Sequence, residues 1–334
     1  MAALKAKLLG LILLLSLLAA QCQQPAPVAT PTPTASPTPL LVAPIQPGDG
    51  TDLIDKLLAD GVLKVGLRVW PEAEFSPPAF RGFSNAAIGG ALNGYEVDVA
   101  RFIAAGLGLE LEMVEAYPPV IATGDWRNEW DIAIASLAPL DQPAASPVFY
   151  STPYAVMPTG ILVPADSNIQ NLAQLAGRRV GVFEHTVYQQ MFTPAEAVPT
   201  VQGQPLIASR PENVQLIVLS NVQKAIRAMG QPDAANSELR VDAIVGPAPV
   251  FEQAITESKL PLKIVRDDAK LPPQPLVIAA APQAGLKVDR LLAEINKVLD
   301  RLHRQGTLAE LSLQWYGQDL SQPAEPPPTS TPEN

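Results

Sequence analysis

Few of the residues that build metal, redox or hydrolytic centres are present: one cysteine, Cys22, and two histidines, His185 and His303, in 334 residues. A zinc site therefore has almost no ligands to draw on, and a lone cysteine cannot form an internal disulfide. No nucleophile elbow, Walker sequence or dinucleotide fingerprint occurs, so no cofactor, no metal and no catalytic residue is expected. Basic residues are scarce and scattered, 23 against 33 acidic, for a net charge of −10. Without a Lys/Arg cluster a nucleic-acid partner is not expected. Long apolar runs are also missing. The run from Leu8 to Ala20 falls short of the roughly 20 residues that a bilayer-spanning helix needs.

What that run does fit, with Lys5 and Lys7 before it and Cys22 after, is the core of a signal peptide covering residues 1–22. Export follows. Leu18-Ala19-Ala20-Gln21-Cys22 resembles the bacterial lipobox, except that Gln21 stands where Gly, Ala or Ser is usual. Two readings stay open: lipidation at Cys22, or cleavage after Ala20 with an unmodified cysteine. Acyl chains would hold the chain to a membrane, each buried methylene contributing about 0.8 kcal/mol. The 36 prolines concentrate near the two ends. Residues 23–50 form a Pro/Thr-rich disordered linker that could reach roughly 90 Å if fully extended, and residues 319–334 a disordered tail.

Between the ends, an apolar fraction of 47% is ample for packed cores. Asp52 to Ala59 has the pattern of a short helix, and Gly61 to Val69 alternates like a strand. Gly82 to Gly94 is a glycine-rich surface loop without phosphate-loop spacing. From Gly94 onward Tyr95, Val99, Phe102 and Ile103 share one helical face, with Glu96 and Asp98 serving the helix's positive end. Leu109 to Val114 then reads as a strand. Asp131 to Leu137 is a buried strand ending in small residues, a suitable end to face a ligand. Gly160 to Val163, entered from a proline-broken segment, looks like a crossing between two lobes.

The second half repeats the alternation. A short helix stopped by Gly177 leads into a strand at Arg178 to Val182. Leu216 to Leu219 is a strand, Val222 to Met229 a helix, Gly230 to Glu238 a loop insertion, and Val241 to Gly246 a strand. Leu276 to Ala280 reads as the strand returning to the first lobe. Val288, Leu291, Leu292, Ile295, Val298, Leu299 and Leu302 then make an apolar helical stripe. Gly306 ends that helix, and Thr307 is expected to cap the next with Glu310 as its capping-box partner, burying Leu308, Leu311 and Trp315.

Several motifs point the same way. Gly94-Tyr95-Glu96-Val97-Asp98, the strand ends at Ser136 and Gly246, and the closing set Asn296, Leu299, Gly306, Thr307, Trp315, Tyr316 and Gly317 resemble the bacterial extracellular solute-binding proteins of family 3. These are the amino-acid-type capture subunits of ABC importers, and the resemblance covers roughly Gly61 to Gly317. It implies an α/β, two-lobed periplasmic-binding-protein (type 2) fold with two hinge crossings. Lobe 1 would take residues 51–158 and 279–318, and lobe 2 residues 159–278. It implies a monomer outside the cytoplasm, periplasmic or at the cell surface, whose partners are a small-molecule ligand, a transporter permease and, through Cys22, the membrane.

In such folds ligands bind beyond the carboxyl ends of parallel strands. The expected ligand-binding residues are accordingly Arg68, Trp70, Phe80, Ser136, Leu137, Tyr154, His185 and Thr186. The hydroxyls of Ser136 and Thr186 match those the family uses on a ligand carboxylate. Other positions depart. The family's carboxylate-clamping arginine would fall at about Pro143 or Ala144, its ammonium-binding aspartate falls at Pro247, a second hydroxyl position holds Ala138, and His185 replaces a glycine. A zwitterion here would lose charge-assisted hydrogen bonds worth about 1.5–3 kcal/mol each. The ligand expected is a small polar organic molecule other than a standard α-amino acid, with a carboxylate or similar acceptor for Arg68. Two alternatives stand beside capture for transport: a ligand sensor acting in trans, or a lyase resembling cyclohexadienyl dehydratases. The lyase would use Glu184 or His185 as general acid, with only Arg68 and Arg127 as basic groups.

Overall fold

The computed structural model describes residues 44–70, 86–88, 91–141, 147–230 and 240–322. Cys22, the linker, Phe80, Pro143, Ala144 and most of the Gly230 to Glu238 insertion lie outside the described residues. The first part of the chain runs α1 (Leu53–Asp60), β1 (Val62–Leu67), hairpin β2 (Ala86–Ile88) and β3 (Ala91–Asn93), α2 (Tyr95–Leu107), β4 (Glu110–Glu115), α3 (Pro118–Thr123), β5 (Ile132–Leu137), β6 (Phe149–Tyr150), β7 (Ala155–Met157) and β8 (Thr159–Pro164). It continues with a 3-10 turn (Leu172–Leu175), β9 (Arg179–Phe183), α4 (Val187–Phe192), hairpin β10 (Thr200–Val201) and β11 (Gln204–Pro205), β12 (Gln215–Leu219), α5 (Val222–Gly230), β13 (Ala243–Pro247), α6 (Ala248–Ser258), β14 (Leu262–Val265), β15 (Gln274–Ala280), α7 (Asp289–Arg304) and α8 (Thr307–Tyr316).

These elements build two sheets. The first has the order β4-β1-β5-β15-β6 with β7 also on β15, and the second β12-β9-β13-β8-β14. In each, a central strand is flanked by parallel partners: β1 by β4 and β5, β9 by β12 and β13. The likeness extends to single residues. Asp131, just before β5, accepts the Lys64 N–H at 2.8 Å, and Asp242, just before β13, accepts the Arg179 N–H at 2.8 Å. A carboxylate thus fixes the entry of the corresponding strand in both sheets. The chain passes from one sheet to the other at Pro158, between β7 and β8, and returns between β14 and β15. The two crossings meet where Gln274 to Leu276 pair antiparallel with Met157 to Ala155.

Helix ends follow local chemistry. Asp52 caps α1 through Ile54 N at 3.1 Å and also accepts the Arg290 and Leu291 N–H groups of α7, so one carboxylate satisfies orphan donors of two helices. The apolar stripe of α7 is buried throughout, from Val288 to Leu302. At α8 the expected capping box is not formed. Gly306, at φ 76°, is the N-cap, no side chain caps it, and Thr307 is already helical. A left-handed glycine lets α7 turn directly into α8, so Thr307 lacks the extended backbone a capping hydroxyl needs. Glu96 and Asp98 stand in the first turn of α2 as expected, and both are buried, at 0% and 1% exposure. Asp98 accepts Trp315 Nε1 at 2.8 Å and Arg101 Nη1 at 2.5 Å, binding α8 to α2. Three helices, α3, α4 and α6, had no sequence expectation, and neither did strand β14 nor the hairpin β10–β11.

Candidate functional site

Between the sheets, at the carboxyl ends of β1, β5, β9 and β13, lies a cleft of about 530 Å³. Arg68, Trp70, Ser136, Leu137, His185 and Thr186 line it, as do Ala138 and Pro247. Tyr154 does not. It is fully buried and is not among the residues that line the cleft, and Phe80 lies outside the described residues. Arg127 is an exposed residue paired with Asp125 away from the lining, and His303 contacts the Pro153 carbonyl.

The floor is organised by Glu96, a residue to which sequence reasoning gave no part in the site. Its Oε1 accepts the Ser136 N–H at 2.5 Å, the Ser136 hydroxyl at 2.9 Å and the Tyr154 hydroxyl at 2.6 Å. Burial and the neighbouring Glu96 charge push the Tyr154 phenol up, which keeps it protonated and donating. Ser136 has φ 52°, a left-handed conformation that non-glycine residues adopt only where surroundings hold them. The bond from its N–H to Glu96 supplies that hold. The Ser136 hydroxyl thus donates to Glu96 while the residue itself lines the cleft.

The opposite wall is the turn from β9 into α4. Thr186 caps α4 through Gln189 N and donates its hydroxyl to the Phe183 carbonyl at 2.6 Å. His185, at φ 53°, donates its N–H to Gln189 Oε1 at 2.7 Å. Its Nε2 lies 2.8 Å from the Tyr117 hydroxyl, with the rings edge-on at 5.0 Å. Gln274 at the hinge adds a buried amide: Nε2 donates to the Pro272 carbonyl, while Oε1 finds no hydrogen-bond partner among the described residues.

Arg68 spans the cleft. Nη2 donates to the Glu184 carbonyl at 2.8 Å and Nη1 to the His185 carbonyl at 3.0 Å, and the guanidinium carbon stands 3.7 Å from the Trp70 ring centroid. Desolvation lowers its pKa to about 10, against the opposing pull of Glu184 and Glu96, so it stays charged at neutral pH. Trp70 in turn meets Phe183 edge-on at 6.0 Å. At the far edge Asp141 accepts Thr200 Oγ1 at 2.6 Å and the Gln202 and Gly203 N–H groups, each at 2.8 Å, and so holds the tip of β10–β11.

A pair of twisted sheets joined by two adjacent crossings around such a cleft is the two-lobed architecture of the periplasmic binding proteins. The chain belongs to the bacterial extracellular solute-binding proteins, family 3, whose profile matches residues 67–318. A probable amino-acid ABC transporter-binding protein of Haemophilus influenzae is 24% identical over 268 residues, covering 79% of this chain and 90% of that protein. An amino acid ABC transporter substrate-binding protein from Streptococcus pneumoniae, bound to L-arginine, shares the fold with a TM-score of 0.58. It is 19% identical over 80% of this chain and 100% of its own. An ancestral amino-acid-binding protein described as a precursor of cyclohexadienyl dehydratase gives a TM-score of 0.55 at 21% identity, over 79% of this chain and 99% of its own.

Proposed function

We propose that this chain is the extracytoplasmic capture subunit of an ABC importer, anchored through a lipid on Cys22, acting as a monomer and taking a small polar organic ligand other than a standard α-amino acid. Pro247 carries the ligand reading. It lines the cleft at the end of β13, where the family resemblance implies an acidic partner for the ligand ammonium, and a proline ring offers neither charge nor N–H. Ala138, also in the lining, supports it by replacing a hydroxyl. The cleft residues Arg68, Trp70, Ser136, Leu137, His185 and Thr186 would then contact the ligand directly, and Tyr154 through Ser136 and Glu96.

Thermal shift of the purified chain against a metabolite panel tests the reading. A ligand present at 1,000 times its Kd stabilises the folded state by about 4 kcal/mol. A stabilising hit outside the standard amino acids supports the proposal, and a hit confined to them contradicts it. Mass spectrometry of the membrane fraction tests the anchor: an acylated Cys22 at the mature N-terminus is expected, and an unmodified Gln21 start refutes it. Catalysis is not part of the proposal. A lyase acting on a dicarboxylate would find Arg68 in the cleft, but Arg127, the other basic group it would need, is exposed and paired with Asp125 away from the lining.

A further inference from the structure

We propose that the ligand-free chain is held closed by its own cross-cleft contacts, with Arg68 as the latch and Asp141 as a second, independent tie. This does not depend on what the ligand is. Four contacts join the walls, and they leave the first lobe from three segments: the ends of β1 and β5 and the start of α3. Arg68, just past β1, reaches the Glu184 and His185 carbonyls beyond β9 at 2.8 and 3.0 Å. Trp70 meets Phe183 edge-on. The Tyr117 hydroxyl, at the start of α3, lies 2.8 Å from His185 Nε2. Asp141 leaves the end of β5 and takes three donors from the β10–β11 turn, while its own N–H donates to the Thr200 carbonyl at 2.8 Å.

The chemistry favours a latch over a passive contact. A guanidinium at 8% exposure has lost most of its water, and the facing carbonyls and the Trp70 ring help to offset that loss. Opening the cleft removes the carbonyls but rehydrates the charge, so the contact can switch between two satisfied states. Asp141 works differently. Its carboxylate matches a turn whose two central residues, Gln202 and Gly203, are left-handed at φ 51° and 74°, which points their N–H groups at one acceptor. Ala138 and Leu140, on the same segment, pack into the apolar core of the second sheet. The segment after β5 is thus docked on the lobe opposite to its own sheet, and opening must peel it away. Ligand entry would then be gated by the breaking of these ties.

The test measures the distance between lobes without ligand. Glu115 and Ser220, exposed at the cleft ends of edge strands β4 and β12, are replaced by cysteine in the full chain carrying Cys22→Ser and spin-labelled. Pulsed electron spin resonance of the unliganded parent should give one dominant short distance. Arg68→Met keeps an apolar stem but no donors, and should lower the closed-to-open ratio about tenfold. Asp141→Ala should shift it in the same direction, and it serves as the deciding variant if circular dichroism shows Arg68→Met unfolded. A parent that is predominantly at the longer distance overturns the proposal. So does a distribution that neither folded variant changes.

Discussion

Glu96 and Tyr154 meet oxygen to oxygen at 2.6 Å beneath the cleft floor, and the same carboxylate oxygen takes both donors of Ser136. Three donors therefore converge on one oxygen of a fully buried carboxylate. Glu96→Ala strands all three and should cost about 3 kcal/mol or more in chemical denaturation, in the range for breaking a buried charged network. Glu96→Gln keeps an acceptor and should cost about 1 kcal/mol. Equal losses for the two variants would show that packing, not hydrogen bonding, sets the role of this side chain.

At Gly106 two rules oppose each other. Alanine is favoured over glycine in a helix interior by about 1 kcal/mol. A Cβ at this position of α2, however, would lie 2.5 Å from Val298 Cγ1 and 2.7 Å from Cγ2 on α7, and a branched side chain has little freedom to move aside. Overpacking of this kind costs about 1–3 kcal/mol, so Gly106→Ala should lower the denaturation midpoint. Adding Val298→Ala should recover part of the loss relative to Val298→Ala alone. A stabilising Gly106→Ala would place the two helices further apart than described.

The Asp141 tie should depend on pH in one direction only. Hydrogen bonds from Thr200, then from Gly203 and Gln202, hold its carboxyl below the ordinary value of 3.8. A carboxylate depressed in the folded state contributes fully above its ordinary value, and that contribution is lost as pH falls through the lower, folded one. Amide hydrogen exchange at Gln202 and Gly203 should accordingly keep the same protection from neutral pH down to about pH 5. Protection should then fall below the ordinary carboxylate range, after correction for intrinsic rates. Loss of protection already near neutral pH would mean that a different group controls the turn.

Much of this architecture was legible in the chain. The strand from Asp131, the α2 face of Tyr95, Val99 and Ile103, and the α7 stripe all follow from apolar periodicity, which tertiary packing reinforces. Strand ends facing a cleft follow from parallel topology, so Arg68, Trp70, Ser136, His185 and Thr186 could be nominated before any coordinates. Glu96 escaped because its partners, Ser136 and Tyr154, are distant in sequence, and no local pattern separates a buried carboxylate from a helix-start charge. The same holds for Tyr154, whose place behind the floor follows from that contact. The β10–β11 hairpin is too short to show alternation, and α3 is a six-residue helix that opens on Pro118 and Pro119, too short to show a helical period. The α8 cap failed on backbone conformation, since Ser, Thr and Glu spacing says nothing about a left-handed glycine one residue earlier.

The central claim, a family 3 cleft that has given up the α-amino acid, is tested most directly at Pro247. Its φ of −66° and ψ of 119° are open to aspartate, which also caps helices well, so Pro247→Asp should fold and lose no stability at α6. Isothermal titration of the parent with the twenty standard L-amino acids should give no binding, while Pro247→Asp, which restores an acid at the expected ammonium position, should gain measurable heat with at least one of them. Micromolar binding of a standard L-amino acid by the parent would contradict the account.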